Sequence, residues 1–271
     1  MPLIAVCSSL LCAQNGVDRV CSAALRHGAK VSVACGSVVS YSGTAIVNAA
    51  NEGCLHGGGV DGAVNHAGGE ELIAAREALP LIAPRVRCHT GECKVTVAGD
   101  LSCKWVLHAV GPNYHMLEEE EGDRLLYSAY RAAMVEARRL RMADVAFSLL
   151  SAGIFRAGKP LSDVLAIGAL AVSACEYEGL EEVFLVGFTQ AEVSTLTSLL
   201  EELHHTDADR AAEATKTALS RVAPSVRRMH ADCLAGITEE LPVGFKIAWM
   251  AAAANSEPVA VVPSEAIDMS D

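Results

Sequence analysis

The interpretation of this chain starts at residues 46–62, which read IVNAANEGCLHGGGVDG. The short apolar run at 45–47 predicts a buried strand. Three consecutive glycines, at 57–59, then lead into a helical stretch. Glycine N–H groups are not screened by side chains, and a helix start adds partial positive charge, so this loop suits a phosphate or diphosphate. On composition alone, a plain flexible connection remains the alternative.

Strand-like and helical segments alternate on both sides of this stretch. Helices are predicted at 17–27, 59–66, 70–79, 123–141, 161–177 and 193–203, and strands at 30–39, 95–97, 105–110, 145–150 and 183–186. This alternation predicts an α/β fold, a three-layer α/β/α domain with a mixed, largely parallel central sheet. We expect an N-terminal extension at 1–24, the domain at 25–203, and a C-terminal helix with a partly ordered acidic tail at 204–271. The apolar segment 245–254 is expected to dock on the domain.

A second loop lies between a predicted strand and helix, and residues 151–160 there read SAGIFRAGKP. Its small residues would let backbone amides approach an anion, and Phe155 would offer an aromatic ring. Ligands of open α/β sheets bind at the carboxyl ends of strands. Two such loops at neighbouring strand ends would hold a diphosphate from both sides.

Composition limits the partners. The chain has 271 residues, 51% of them hydrophobic, and a formal net charge of −12. This acidity disfavours RNA or poly-A and anionic membranes as partners, since both require an excess of cations. No apolar run reaches the length of a membrane-spanning helix, and the N-terminus lacks a basic signal region. We therefore expect an intracellular monomer, cytoplasmic or nuclear, with a mitochondrial address left open.

The cysteines are numerous but are not arranged as metal ligands. There are ten, with no C-x-x-C pair. The nearest group, at 88–103, fits no standard zinc spacing, so no metal site is expected. Reduced, mostly buried thiols are the simplest interpretation.

The two loops together resemble the macrodomain family. The resemblance rests on IVNAAN at 46–51, GGGVDGA at 57–63, HAVGP at 108–112 and LSAGIF at 150–155, and covers about residues 30–200. It implies an α/β/α fold that binds ADP-ribose. Asn51 followed by Val60-Asp61-Gly62 is similar to the MacroD-type hydrolases, which remove mono-ADP-ribose from acidic side chains and deacetylate O-acetyl-ADP-ribose. Several binding-only or viral relatives carry a small residue where Asp61 stands.

The resemblance assigns roles to individual residues. Asn51 would hold the distal ribose and orient water, Asp61 would position or activate that water, and Phe155 would pack on the ribose. Each has a structural alternative, namely an Asx-turn, an interaction with the helix dipole, and core packing. If the substrate phosphate shares the role of base, Asp61 only positions water or ribose. The residues expected to bind ligand are Ser37, Asn48, Gly57, Gly58, Gly59, Val60, Ser151, Ala152, Gly153, Ile154, Arg156 and Phe188.

Some of these positions depart from the family pattern. Ser37 stands where the family usually has an aspartate that binds the adenine amino group, which predicts weaker discrimination of adenine. Arg156 replaces a usual glycine and would reach the diphosphate or project into solvent. Asn48 is expected to hold its loop rather than touch the reacting bond. His56 replaces a usual glycine, and we interpret it as an exposed loop residue without an acid–base role.

The resemblance favours a hydrolase that removes mono-ADP-ribose from Asp or Glu side chains of proteins, with O-acetyl-ADP-ribose deacetylation as a second activity. No cofactor is expected, and ADP-ribose would be ligand and product. The alternative is a non-catalytic ADP-ribose reader that recruits partners through its C-terminal region. Ser37 and that extra region favour a reader, whereas Asp61 argues against it.

Overall fold

The computed structural model describes residues 16–205 and 208–235. Its strands are Asp18–Ala24 (β1), Lys30–Cys35 (β2), Ala45–Ala50 (β3), Cys93–Val97 (β4), Trp105–Val110 (β5), Asp144–Ser148 (β6) and Glu182–Gly187 (β7). Its α-helices are Gly59–Glu77 (α1), Glu119–Arg139 (α2), Leu161–Ala174 (α3), Gln190–Leu203 (α4), Ala208–Ser220 (α5) and Pro224–Leu234 (α6).

The strands form one seven-stranded sheet in the order β1–β2–β7–β6–β3–β5–β4. The five inner strands are parallel to one another, whereas β1 and β4 pair antiparallel at the two edges. The prediction of a mixed, largely parallel sheet is therefore confirmed. Parallel strands end at the same edge, so the loops that follow them meet there.

Helices cover both faces of the sheet and complete the three layers. Alternate strand residues point to opposite faces, so Val145 and Phe147 join one core cluster and Ala146 joins another. The first cluster also contains side chains from α2, α3, α4 and α6, and the second contains side chains from α1. The sheet therefore has its larger helical layer on one side and α1 on the other.

The helix predicted over 17–27 is wrong, because this segment forms the edge strand β1. Its residues pair antiparallel with β2, from Asp18 opposite Cys35 to Ala24 opposite Lys30. The apolar spacing that suggested a helix also fits a strand with a bulge, and the register shifts between Arg19 and Cys21. Backbone pairing with β2 supplies the hydrogen bonds that a helix would otherwise have formed within itself. The segment predicted as an N-terminal extension thus contributes a strand to the sheet.

The C-terminal region contains two helices within its described part. Helix α6 begins at Pro224, which suits a first helical turn because its missing N–H has no helical partner there. It packs against α2 and α3, and α5 packs against α4. The apolar segment 245–254 that we expected to dock lies outside the described residues. Among residues 16–205 and 208–235, no helix is long and apolar enough to cross a membrane.

Candidate functional site

The residues predicted for the site follow four neighbouring parallel strands. Ser37 follows β2, Phe188 follows β7, the loop 151–160 follows β6, and the glycine loop 51–58 follows β3. These four strands are adjacent in the sheet. The fold therefore brings both loops and the two outlying residues to the carboxyl ends of neighbouring strands, and the two loops follow the adjacent strands β3 and β6.

Helix α1 consists of two arms that fold back on each other at Gly69. This residue has φ 65° and ψ −164°, a conformation essentially restricted to glycine. In a straight helix, residues 61 and 76 would lie about 22 Å apart along the axis. Here the Nη2 of Arg76 lies 2.7 Å from the Oδ1 of Asp61. The glycine therefore makes possible an ion pair that a continuous helix would forbid.

The Arg76 side chain forms hydrogen bonds to three groups in and beside the glycine loop. Its side chain is wholly buried. Its Nε donates to the Cys54 carbonyl at 2.7 Å, its Nη1 donates to the Asn65 Oδ1 at 2.6 Å, and its Nη2 donates to Asp61. A guanidinium suits this task because it offers several donors in a fixed plane. Arg76 thus fixes the loop, the start of α1 and the carboxylate of Asp61 relative to one another.

Asp61 presents one oxygen to the protein interior and keeps the other free among the described atoms. Its Oδ1 accepts from Arg76 and, at 2.5 Å, from the Nδ2 of Asn48. Its Oδ2 is buried and has no hydrogen-bond partner among these residues. A Cβ placed on Gly57 would lie 2.9 Å from this oxygen. The absence of a side chain at Gly57 therefore leaves the Oδ2 room beside the loop.

Asn48 and His108 form a buried polar chain behind Asp61. The Asn48 Nδ2 lies 3.2 Å from the His108 Nδ1, and the His108 Nε2 lies 2.8 Å from the Thr96 Oγ1. Burial, with a smaller contribution from the positive charge of Arg76, holds the pKa of His108 well below its ordinary value. A neutral ring that accepts at Nδ1 donates from Nε2 to Thr96. Asn48 lies in β3 and is fully buried, so its amide contacts Asp61 and His108 within the protein.

Asn51 forms the Asx-turn that we considered as its structural alternative. Its Oδ1 accepts from the Gly53 N–H at 3.0 Å, and its Nδ2 donates to the His56 carbonyl at 3.0 Å. The Nδ2 carries a second hydrogen that this bond does not use. A Cβ on Gly57 would lie 3.2 Å from the Nδ2. The amide of Asn51 and the free oxygen of Asp61 therefore flank the same glycine.

Open space lies beside the glycines that stand between Asn51 and Asp61 in the sequence. A Cβ on Gly58 or Gly59 would meet no atom within 4 Å, and Gly59, at φ 59°, begins α1. Val60, the next residue, is partly buried. The backbone at the start of α1 thus borders a space that no described atom fills.

The second loop is held by its own polar groups. Ser151, at φ 56°, donates its hydroxyl to the Pro112 carbonyl at 2.7 Å. Arg156 donates to the Lys159 carbonyl at 2.6 Å and to the Ala152 carbonyl at 3.2 Å. The Arg156 side chain therefore braces the loop that contains it, which neither of our two expectations for it had foreseen.

Apolar side chains are exposed around this edge. Ile154 is 84% exposed and Phe188 is 77% exposed, while Phe155 is partly buried and Gly153 is exposed. The exposure of Phe188 excludes a core role for this ring. Ser37 is partly buried, and its side chain makes no capping hydrogen bond to the short helical turn that follows it. His56 is exposed, as expected.

Sequence reasoning missed Arg76 and gave His108 no role. The sequence signal that could have revealed Arg76 is the Gly68-Gly69 pair inside the helical pattern, because paired glycines mark turns. A turn there places the second arm of α1 against the first. Which side chain of that second arm would meet Asp61 follows only from the three-dimensional packing.

Comparison with known proteins identifies the family. The macro domain family model matches residues 47–167. A macro domain-containing protein of Xanthomonas campestris pv. campestris is 39% identical over 132 residues, which cover 49% of this chain and 72% of that protein. The chain belongs to the macro domain family.

Solved structures share the fold. The Oceanobacillus iheyensis macrodomain with ADP matches with a TM-score of 0.61 and 26% identity, covering 68% of this chain and 95% of that one. The Trypanosoma brucei macrodomain in complex with ADP-ribose matches with a TM-score of 0.54 and 28% identity, covering 63% of this chain and 68% of that one.

Proposed function

We propose that this protein binds ADP-ribose at the strand-end loops and hydrolyses mono-ADP-ribose from acidic side chains of proteins. The observation that carries the proposal is the unpartnered Oδ2 of Asp61 beside the Asn51 amide. A buried carboxylate oxygen without a donor is costly. A water molecule or ribose hydroxyl that donates to it removes that cost.

The proposed ligand would lie across both loops. The first N–H groups of α1 and the amides near Gly153 would hold the diphosphate, since both loops place small residues at neighbouring strand ends. Phe188 would stack on the adenine, because its ring is exposed next to the end of β7. Ser37 would accept from the adenine amino group without the assistance of a charge. Phe155 would pack on the distal ribose.

In the reaction, water attacks the anomeric carbon of the distal ribose, and the bond from that carbon to the carboxylate oxygen of the protein side chain breaks. The Oδ2 of Asp61 accepts a hydrogen bond from the water or the ribose, and the free Nδ2 hydrogen of Asn51 holds a ribose oxygen. The Oδ1 of Asp61 is already occupied by two donors, so the carboxylate is fixed in orientation. Such fixed polar groups lower the barrier without having to reorganise during the reaction.

Two solved variants of a relative change residues with the same identities and spacing as two residues of the proposed site. Solved variants of the Oceanobacillus iheyensis macrodomain replace a glycine and an aspartate three positions apart, and the glycine variant is described with ADPR. Gly58 and Asp61 have these identities and this spacing. MacroD-type activity, including O-acetyl-ADP-ribose deacetylation, is the finer assignment that we propose from the sequence resemblance at Asn51 and residues 60–62.

Two assays on the full chain test the proposal. Calorimetry with ADP-ribose should give binding, and a protein mono-ADP-ribosylated on glutamate should release ADP-ribose when the enzyme is added. Binding without release would make the protein a reader. The absence of both would refute the site itself.

A valine variant in the glycine loop, with a valine variant outside both loops as its control, tests the location of the ligand. Gly58 has an extended backbone at φ −92° and open space at its Cβ, so Gly58→Val should fold normally and weaken ADP-ribose binding by at least about tenfold, or about 1.4 kcal/mol. Ala212 is exposed on α5, outside both loops, and Ala212→Val should leave binding unchanged. Equal affinities of the two variants would contradict the proposed position of the diphosphate.

A further inference from the structure

A cavity lies near the beginning of strand β2, whereas the proposed ligand site lies where the parallel strands end. It has a volume of about 180 Å³ and lies between the turn before β2, helix α2, the end of α3 and the end of α6. Three arginines line it, Arg26, Arg131 and Arg138, together with the thiols of Cys175 and Cys233. The proposed function uses none of these groups.

The two thiols approach each other across an interface between helices. Cys175 directly follows α3, and Cys233 lies in the last turn of α6. Their Sγ atoms are 4.0 Å apart, although 58 positions separate the residues in the chain. Both residues are partly buried and line the cavity, so the cavity gives small molecules a route to this pair.

The surroundings make the two thiols unequal. The Cys175 thiol donates to the Cys233 sulfur, and this bond with the positive charge of Arg131 lowers the pKa of Cys233 below its ordinary value. The same partnership and burial raise the pKa of Cys175. A thiolate is the nucleophilic form of cysteine, and a neighbouring thiol can resolve its oxidised product. Cys233 is thus suited to react first, with an oxidant, and Cys175 is suited to react second, with the oxidised Cys233.

We propose that Cys175 and Cys233 form a site that is oxidised by hydroperoxides to a disulfide joining α3 to α6. The Cys233 thiolate attacks one oxygen of hydrogen peroxide, the O–O bond breaks, and hydroxide leaves to give a sulfenic acid at Cys233. The Cys175 sulfur then attacks the Cys233 sulfur, the S–O bond breaks, and the Cys175 proton leaves with that oxygen as water. Peroxide accepts the two electrons that the thiols lose.

The disulfide would link the C-terminal helix α6 covalently to the macrodomain at the end of α3. Helix α6 is held at its start by the Ala223 N–H, which donates to the Asp123 Oδ2 at 3.2 Å. A disulfide at Cys233 would add a covalent link at its other end. Oxidation should therefore slow proteolysis in the connection that precedes α6 and lower hydrogen exchange in α6.

The test is peptide mapping of the full chain without reduction, after brief treatment with hydrogen peroxide. We expect a cross-linked peptide containing Cys175 and Cys233 and lacking two hydrogen atoms. Cys54 and Cys88 serve as the internal comparison, because these two cysteines also influence each other's pKa but are both fully buried residues. A cross-link between Cys54 and Cys88 instead, or thiols at 175 and 233 that both remain alkylatable, would overturn the proposal.

Single variants assign the two steps. In Cys175→Ser, peroxide should leave a sulfenic acid at Cys233 that dimedone labels, whereas Cys233→Ser should give neither a disulfide nor a label at Cys175. Circular dichroism confirms that each variant is folded. Labelling of Cys175 in Cys233→Ser at the rate seen for Cys233 in Cys175→Ser would contradict the assigned order of attack.

Discussion

Replacing Arg76 by methionine should cost this protein a large part of its stability. Methionine preserves most of the side-chain volume but removes all three donated hydrogen bonds. The substitution leaves Asp61, 2% exposed, without its charge partner, and leaves the Cys54 carbonyl without its donor. Asp61 would then be an almost fully buried charge without a cationic partner.

The expected size follows from the burial of the pair. Removing one partner of a buried ion pair typically costs about 3–5 kcal/mol. For a domain of this size, each kcal/mol lowers the midpoint of thermal unfolding by about 2–4 °C, so we expect a decrease of roughly 6–20 °C. The pair Arg124 and Glu121 provides a matched control, with an N–O distance of 2.6 Å but side chains 32% and 46% exposed. Arg124→Met should cost less than about 1 kcal/mol.

Thermal and urea unfolding measure both effects, and a double-mutant cycle isolates the pair. Asp61→Asn combined with Arg76→Met should be more stable than the sum of the two single changes predicts, by at least about 1 kcal/mol. If Arg76→Met unfolds within about 2 °C of Arg124→Met, the ion pair does not organise the loop. Strict additivity in the cycle would lead to the same conclusion.

Three further changes test separate parts of the structure. Gly69→Ala should destabilise the protein by about 1–3 kcal/mol in unfolding experiments, because the conformation is restricted to glycine and the methyl group would meet the Asp100 carboxylate. Unchanged stability would argue against the two-armed α1. Because the pKa of His108 is lowered in the folded protein, its imidazole takes up a proton at a higher pH in the unfolded chain than in the folded protein. Stability should therefore fall as the pH decreases below about 6.5, by up to about 1.4 kcal/mol per pH unit for one group. The variant His108→Gln should have a shallower pH slope than wild type, and an unchanged slope would contradict the assignment. Ser37→Asp should increase the preference for ADP-ribose over its inosine analogue in calorimetry, and an unchanged preference would exclude adenine recognition at this position.

The sequence was sufficient to predict the layered fold and the edge where the loops meet. Apolar runs such as 45–47 and the stripe along α2 identify buried elements without any knowledge of their neighbours. The helix predicted at 17–27 failed because an edge strand obtains its hydrogen bonds from another strand. Local periodicity contains little information about that pairing.

The site was predictable only in part, and for a similar reason. The glycine loop and Asp61 stand out because their residue types are unusual at a strand-to-helix junction. Arg76 is 15 residues away in what the sequence presents as one helical region. Only the backbone at Gly69 turns it toward Asp61. The contact depends on tertiary geometry, so side-chain identity alone did not reveal it.

The most direct test of the proposed activity is the rate of ADP-ribose release from a glutamate-modified protein by wild type, Asn51→Ala and Asp61→Asn. Asparagine at 61 keeps the shape of the buried group, so unfolding experiments can verify that the variant remains folded. His56→Ala is the control, since that side chain is exposed at the same loop. We predict losses of at least about 10²-fold for the first two variants, about 2.7 kcal/mol of barrier, and an unchanged rate for the control. Release by folded Asp61→Asn at the wild-type rate would contradict the role of Asp61.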